Sequence, residues 1–205
     1  MNPAQRLLGW RLVVWLLAGA PLLRLGWLVL QGRLGANPVE FLEHYSGQWA
    51  LRLLLLTLAM TPLRRLTQWP EPLRVRRLLG LWAFAWACLH FGIYLLFDLE
   101  FSLLQLGKDL LKRRYITAGF AAWLLLLCLA LTSTRGWQQR LKRRWAQLHR
   151  LIYPAALLVV LHFIWLVKSD LREPLLYLAI LLVLLGWRLP WHGILRARSQ
   201  PKLSS

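Results

Sequence analysis

The chain has 205 residues, 58% of them hydrophobic, and a mean hydropathy of +0.47. That length would suit one soluble domain, but the hydropathy excludes one, and the dominance of aliphatic and aromatic side chains excludes a disordered chain. The net charge of +18 does not point to nucleic acid, because the 26 Lys and Arg lie in short clusters between long apolar runs rather than on a folded polar surface.

Crossing a hydrocarbon core about 30 Å thick takes roughly 20 helical residues. The first apolar run, 7–30, is too long for a signal peptide and has no small-x-small cleavage site before Gln31, so it reads as a retained helix. Five more runs follow at 46–63, 78–97, 116–134, 145–167 and 174–191. None alternates with the period of two that a membrane barrel requires. The expectation is therefore an all-α integral membrane protein: one domain, 1–191, folded as a six-transmembrane-helix bundle, followed by a short basic tail at 192–205. Two cysteines, Cys88 and Cys128, are too few for a disulfide scaffold or a Cys-rich metal site. No dinucleotide or P-loop glycine fingerprint occurs.

Charge orients the bundle. With the N-terminus inside, segments 1–6, 64–77, 135–144 and 192–205 hold 14 Lys and Arg and one acid, Glu71. The outer segments 31–45, 98–115 and 168–173 hold seven bases and the seven other acids. Bases in short loops face the cytoplasm, so both termini are expected there.

Ionisable groups at membrane depth are costly and are functional candidates by default. His44 and His192 lie outside the spans and read as interfacial. His90 and His162 lie in the third and fifth spans, which run the same way, and both fall about 8–10 Å below the outer boundary. Two neutral imidazoles at one depth on parallel helices suit the bis-axial ligation of a b-type haem. The small residues Gly80, Ala83 and Ala87 before His90, and Ala155 before His162, offer clearance for a porphyrin. The competing reading is direct helix packing along those stripes, with a proton-carrying histidine pair. His149 lies about 20 Å deeper than His162, near the inner face. Thirteen residues turn it about 140° from His162 on an ideal helix, although Pro154 intervenes. The third span offers Arg76 where a partner histidine would be needed.

Several stretches resemble the MsrQ (YedZ) family: Leu34-Gly-Ala-Asn-Pro-Val39, Arg76-Arg-Leu-Leu-Gly-Leu-Trp82 through His90, Leu131-Thr-Ser-Thr134, Arg144-Trp-Ala-Gln-Leu-His-Arg-Leu-Ile-Tyr153 and His162-Phe-Ile-Trp-Leu-Val-Lys168. That family supplies the haem-binding membrane subunit of a protein-methionine-sulfoxide reductase system and belongs to the ferric reductase-like transmembrane group. The resemblance implies haem b and FMN as cofactors, with His90, His149 and His162 associated with haem. It implies electrons drawn from the quinone pool or a cytosolic flavin reductase and delivered to MsrP, a periplasmic molybdopterin enzyme. Broader relatives carry two histidines on each of two helices, whereas the third span here has one, so one haem is favoured and His149 is left for a second haem or a flavin. The chain has room for neither a nicotinamide domain nor a substrate pocket, which suits an electron-transfer subunit rather than an enzyme on its own.

Arg24 and Arg52 lie near the expected haem depth and are candidates to pair with a haem propionate, against snorkelling to the outer headgroups. Arg76 and Arg77, in an inner basic cluster, are candidates for a flavin phosphate, against a role in topology and in binding the lipid bilayer. Trp86, one turn before His90, is a candidate for the haem edge or for the core. Two other functions stay open: a stand-alone transmembrane ferric reductase and a proton-coupled transporter.

Overall fold

The computed structural model describes residues 2–167 and 169–188, so His192, the end of the sixth apolar run and the 192–205 tail lie outside the described residues. Among those described, the chain is entirely helical. Helices α1 (Pro3–Leu30), α2 (Pro38–Thr67) and α3 (Glu71–Ile93) come first, and α3 continues as a π-helical turn over Tyr94–Asp98. Helices α4 (Leu103–Lys112), α5 (Arg114–Leu131), α6 (Arg135–Leu141), α7 (Arg143–Leu148), α8 (Ile152–Leu166) and α9 (Arg172–Gly186) complete the chain. Four helical runs are long and apolar enough to cross a membrane: 3–30, 71–98, 114–131 and 143–166. This is a membrane protein. Its large exposed side chains agree, since Leu12, Trp15, Leu16, Leu23 and Leu30 all point outward from α1, an exposure that is costly in water and not in lipid.

Local chemistry explains the ends. Asn37 caps α2 by accepting from the Glu40 N–H, and Pro38 follows at the first helical position, where its missing N–H is harmless. The Leu-Gly-Ala-Asn-Pro-Val stretch is thus a turn and a helix start. The outer segment 98–115 contains a helix, α4, which a search for spans alone does not find. Ser102 caps it, and Leu103, Leu104 and Leu111 form an exposed apolar stripe. The fifth span is broken: α7 and α8 are joined by a tight 3₁₀ turn at His149–Leu151. Pro154 has no N–H to donate one turn back, which frees a carbonyl in that turn and favours the tighter winding.

Helix α3 packs most extensively on α2 and also on α1, while α5 packs on α8. Helix α9 closes against both α8 and α2. Trp86 sits where the first three helices meet, 2% exposed, its indole N–H donating to the Ala18 carbonyl at 3.1 Å. Tyr45 and Trp49 of α2 flank it, with ring centroids 6.2 and 6.3 Å away. It is a core residue. Trp86→Ala is expected to destabilise the fold by about 3–5 kcal/mol, with Trp86→Phe less harmful; thermal unfolding of the purified protein in detergent measures both.

Candidate functional site

The third and fifth apolar runs bring His90 and His162 together. Their ring centroids are 6.1 Å apart and the ring planes are inclined at 76°. Each ring is held by a helix other than its own. His90 on α3 donates from Nδ1 to the Glu43 carbonyl of α2 at 3.0 Å, with the Ser46 hydroxyl at 3.3 Å. His162 on α8 donates from Nδ1 to the Tyr115 carbonyl of α5 at 2.7 Å. Donation from Nδ1 fixes the neutral tautomer and leaves Nε2 as the basic nitrogen on both rings.

The same local arrangement occurs twice. A residue four positions on from a helical carbonyl lies directly beside it, and in both helices that residue is glycine. A Cβ on Gly47 would come within 3.2 Å of the His90 ring, and one on Gly119 within 2.7 Å of His162 Nδ1. A Cβ at Gly119 would clash with the His162 ring and one at Gly47 would press on the His90 ring, so the absence of both side chains lets the imidazoles seat against the carbonyls. Neither glycine carries chemistry of its own along the chain, though a glycine inside an apolar helix is a signal, since it costs up to about 1 kcal/mol against alanine and calls for a packing reason.

Both rings line a cavity of about 580 Å³. Leu51, Leu54, Ala87, Phe91, Phe120 and Trp123 are among its apolar walls. Its polar lining includes Glu40, Glu43, His44, Asp98, Arg113, Tyr115 and Ser169, from the ends of helices and the outer segments. His44, expected to be merely interfacial, therefore lines the cavity. Glu43 stands outside the apolar part of α2; burial, and then the neighbouring Asp98 carboxyl, push its carboxyl up to about 8.

Other expectations need correction. Of the small-residue stripe only Ala87 lines the cavity. Gly80 packs toward the Thr57 methyl of α2, which a Cβ there would meet at 3.6 Å, while Ala83 and Ala155 are fully buried in the core. That stripe serves close helix packing. Arg52 does not face the cavity: its Nε donates to the Tyr177 hydroxyl at 2.9 Å, its Nη2 to Gln48 Oε1 at 3.2 Å, and its guanidinium lies 3.8 Å from Glu173. It ties α2 to α9. Arg24 is exposed on α1, on the side away from the core. Neither arginine is positioned for a cavity ligand.

His149 lies apart from the cavity. It stacks on Trp145 at 4.0 Å, and its Nε2 is 3.3 Å from the Thr132 hydroxyl. Trp145 in turn donates to the Thr132 carbonyl at 2.9 Å, so the Leu-Thr-Ser-Thr and Trp-Ala-Gln-Leu-His stretches lock together. Arg76 is half-buried within electrostatic reach of His149 and Arg188, whereas Arg77 is exposed. Neither borders the cavity.

A helical membrane domain with two opposed histidines has the form of a ferric reductase-like membrane component, and residues 46–160 match the family described as ferric reductase like transmembrane component. The chain is 55% identical over 192 residues to the protein-methionine-sulfoxide reductase heme-binding subunit MsrQ of Xanthomonas euvesicatoria pv. vesicatoria, covering 91% of this chain and 88% of that protein. The protein of the same name from Xanthomonas axonopodis pv. citri is 58% identical over 82% of this chain and 80% of its own length. That from Herminiimonas arsenicoxydans is 46% identical over 87% and 84%. No solved structure matches. The chain belongs to the MsrQ family.

The two glycines make a graded prediction. Gly119→Ala forces the closer contact and is expected to cost about 1–3 kcal/mol as an overpacked site, with Gly47→Ala milder. Thermal unfolding in detergent should rank them in that order below the parent protein.

Proposed function

We propose that the protein is a six-span, b-type cytochrome subunit of the bacterial inner membrane, both termini cytoplasmic, which passes electrons outward to a periplasmic methionine-sulfoxide reductase. One observation carries the reading: His90 and His162 approach with both Nδ1 atoms already committed to backbone carbonyls. Two imidazoles bound through Nε2 to one iron at about 2 Å each would hold their centroids roughly 6 Å apart, and the observed separation is 6.1 Å. The cavity volume also lies within the range of about 300–1,000 Å³ usual for ligand sites. The relatives' name, heme-binding subunit, supports the same ligand.

Haem held between two neutral imidazoles supplies one-electron chemistry at a potential set by its ligands and surroundings. The residues of the chain do the rest. The Glu43 and Tyr115 carbonyls polarise the Nδ1–H groups and raise the basicity of Nε2, as outer-shell acceptors do for metal-bound histidines. Gly47 and Gly119 let the rings seat. The walls formed by Leu51, Leu54, Phe91, Phe120 and Trp123 exclude water, while the polar lining from the outer segments marks where an acceptor protein would approach.

In this reading electrons enter from the quinone pool or a cytosolic flavin reductase and leave to the periplasmic molybdopterin reductase MsrP, for repair of oxidised periplasmic proteins. His149, at the far end of the helical run that carries His162, belongs to a second redox site, haem or FMN, with Arg76 and Arg77 meeting a flavin phosphate. The description of the matched family favours a second function, direct reduction of a ferric chelate; turnover with ferric chelates and no protein partner would support it.

His90→Ala and His162→Ala are each expected to abolish the b-type bands of a dithionite-minus-oxidised spectrum while the protein still inserts. His149→Ala should leave the outer-site bands in place. A double variant at His90 and His162 that retains full haem would overturn the proposal.

A further inference from the structure

Haem b carries two propionates, which must meet compensating charge or water at the mouth of an apolar cavity. Arg24 and Arg52 do not reach it. Among the described residues lining the cavity, the one permanently charged cation is Arg113, at the junction of α4 and α5. The lining carboxyls come from α2, as Glu40 and Glu43, and from the end of the π-helical turn, as Asp98.

Arg113 is aimed by a short chain of contacts. The Tyr94 hydroxyl, from the π-helical turn, donates to Asp109 Oδ2 at 2.7 Å. Asp109 is 7% exposed, and its other oxygen, Oδ1, lies 3.6 Å from Arg113 Nε, one helical turn further on. Asp109 thus joins α3 to the outer helix through one oxygen and takes the inner edge of the guanidinium with the other. A guanidinium so held presents its remaining N–H groups in a planar fork, the geometry that suits a second carboxylate. Tyr94 and Arg113, the two ends of this chain of contacts, both line the cavity, with Asp109 linking them from behind its wall.

We propose that Arg113, positioned by Asp109 and Tyr94, binds a propionate of the haem seated between His90 and His162 and so fixes the rotational setting of the porphyrin in the cavity. This rests on the haem reading above. Arg113 is a cofactor-binding residue here, and Asp109 and Tyr94 are positioning residues.

The test uses the full chain, purified without haem and titrated with haem b or with its dimethyl ester, which has the same ring but no propionate charge. The wild-type protein is expected to bind haem b about tenfold more tightly than the ester, the worth of one charge-assisted hydrogen bond. Arg113→Gln should weaken haem b by about that factor, leave the ester unchanged and so lose the discrimination; Arg113→Lys should restore part of it. Equal binding of haem b and ester by the wild-type protein would overturn the proposal, as would an Arg113→Gln protein that discriminates as the wild type does. A wild-type protein that binds both with no bis-imidazole spectrum would overturn the haem reading itself, and the propionate assignment with it.

Discussion

An imidazole buried in an apolar bundle must satisfy its N–H or pay the desolvation cost of an orphaned donor. The rest of this structure follows from how that is done. Each of the two central histidines borrows a main-chain carbonyl from the neighbouring helix, and at these two carbonyls the close seating of the ring requires that the residue one turn on have little or no side chain. Gly47 and Gly119 meet that requirement. The two most extensive helix contacts, α2 with α3 and α5 with α8, are the pairs that make these bonds.

The charged side chains divide the remaining work. Arg52 holds α9 to α2 near the N-terminal end of α9, and Arg188 anchors the chain just beyond its C-terminal end by donating to the Tyr153 hydroxyl and the Leu58 carbonyl, both at 2.6 Å. Glu71, wholly buried at the start of α3, faces Arg6 of α1 at 3.3 Å. Most of these arginines look like strays within apolar runs when read along the chain. In the fold they are cross-links between helices, each with a partner that offsets part of its desolvation.

How much of this could be read from the residues alone follows from what each feature depends on. Span length depends on the membrane, and the apolar runs around Val14, Ala83 and Leu126 stand out without any tertiary knowledge. The matching depth of His90 and His162 needs only the helical rise. The face of a helix is legible too, but its neighbour is not. Gly80, Ala83 and Ala87 form a true stripe, and only the packing of α2 assigns its first two members to a helix and the last to the cavity. Arg52 lies within an apolar run and Arg113 between two of them, but that one meets Tyr177 and the other Asp109 is set by packing that the chain alone does not display. Helix α4 escaped because a ten-residue amphipathic segment is too short and too charged to register as a span.

The repeated histidine, carbonyl and glycine arrangement bears on how such a protein comes to be assembled. Each socket is complete within its own helix pair: α2 and α3 are joined by three residues, and α5 and α8 by the short helices α6 and α7. The contacts between the pairs, α3 with α5 and α2 with α8, are smaller. The N-terminal pair can therefore orient His90 before the second pair leaves the ribosome. The domain is thus built as two helix pairs, each holding one of the central histidines, joined by the smaller contacts between them.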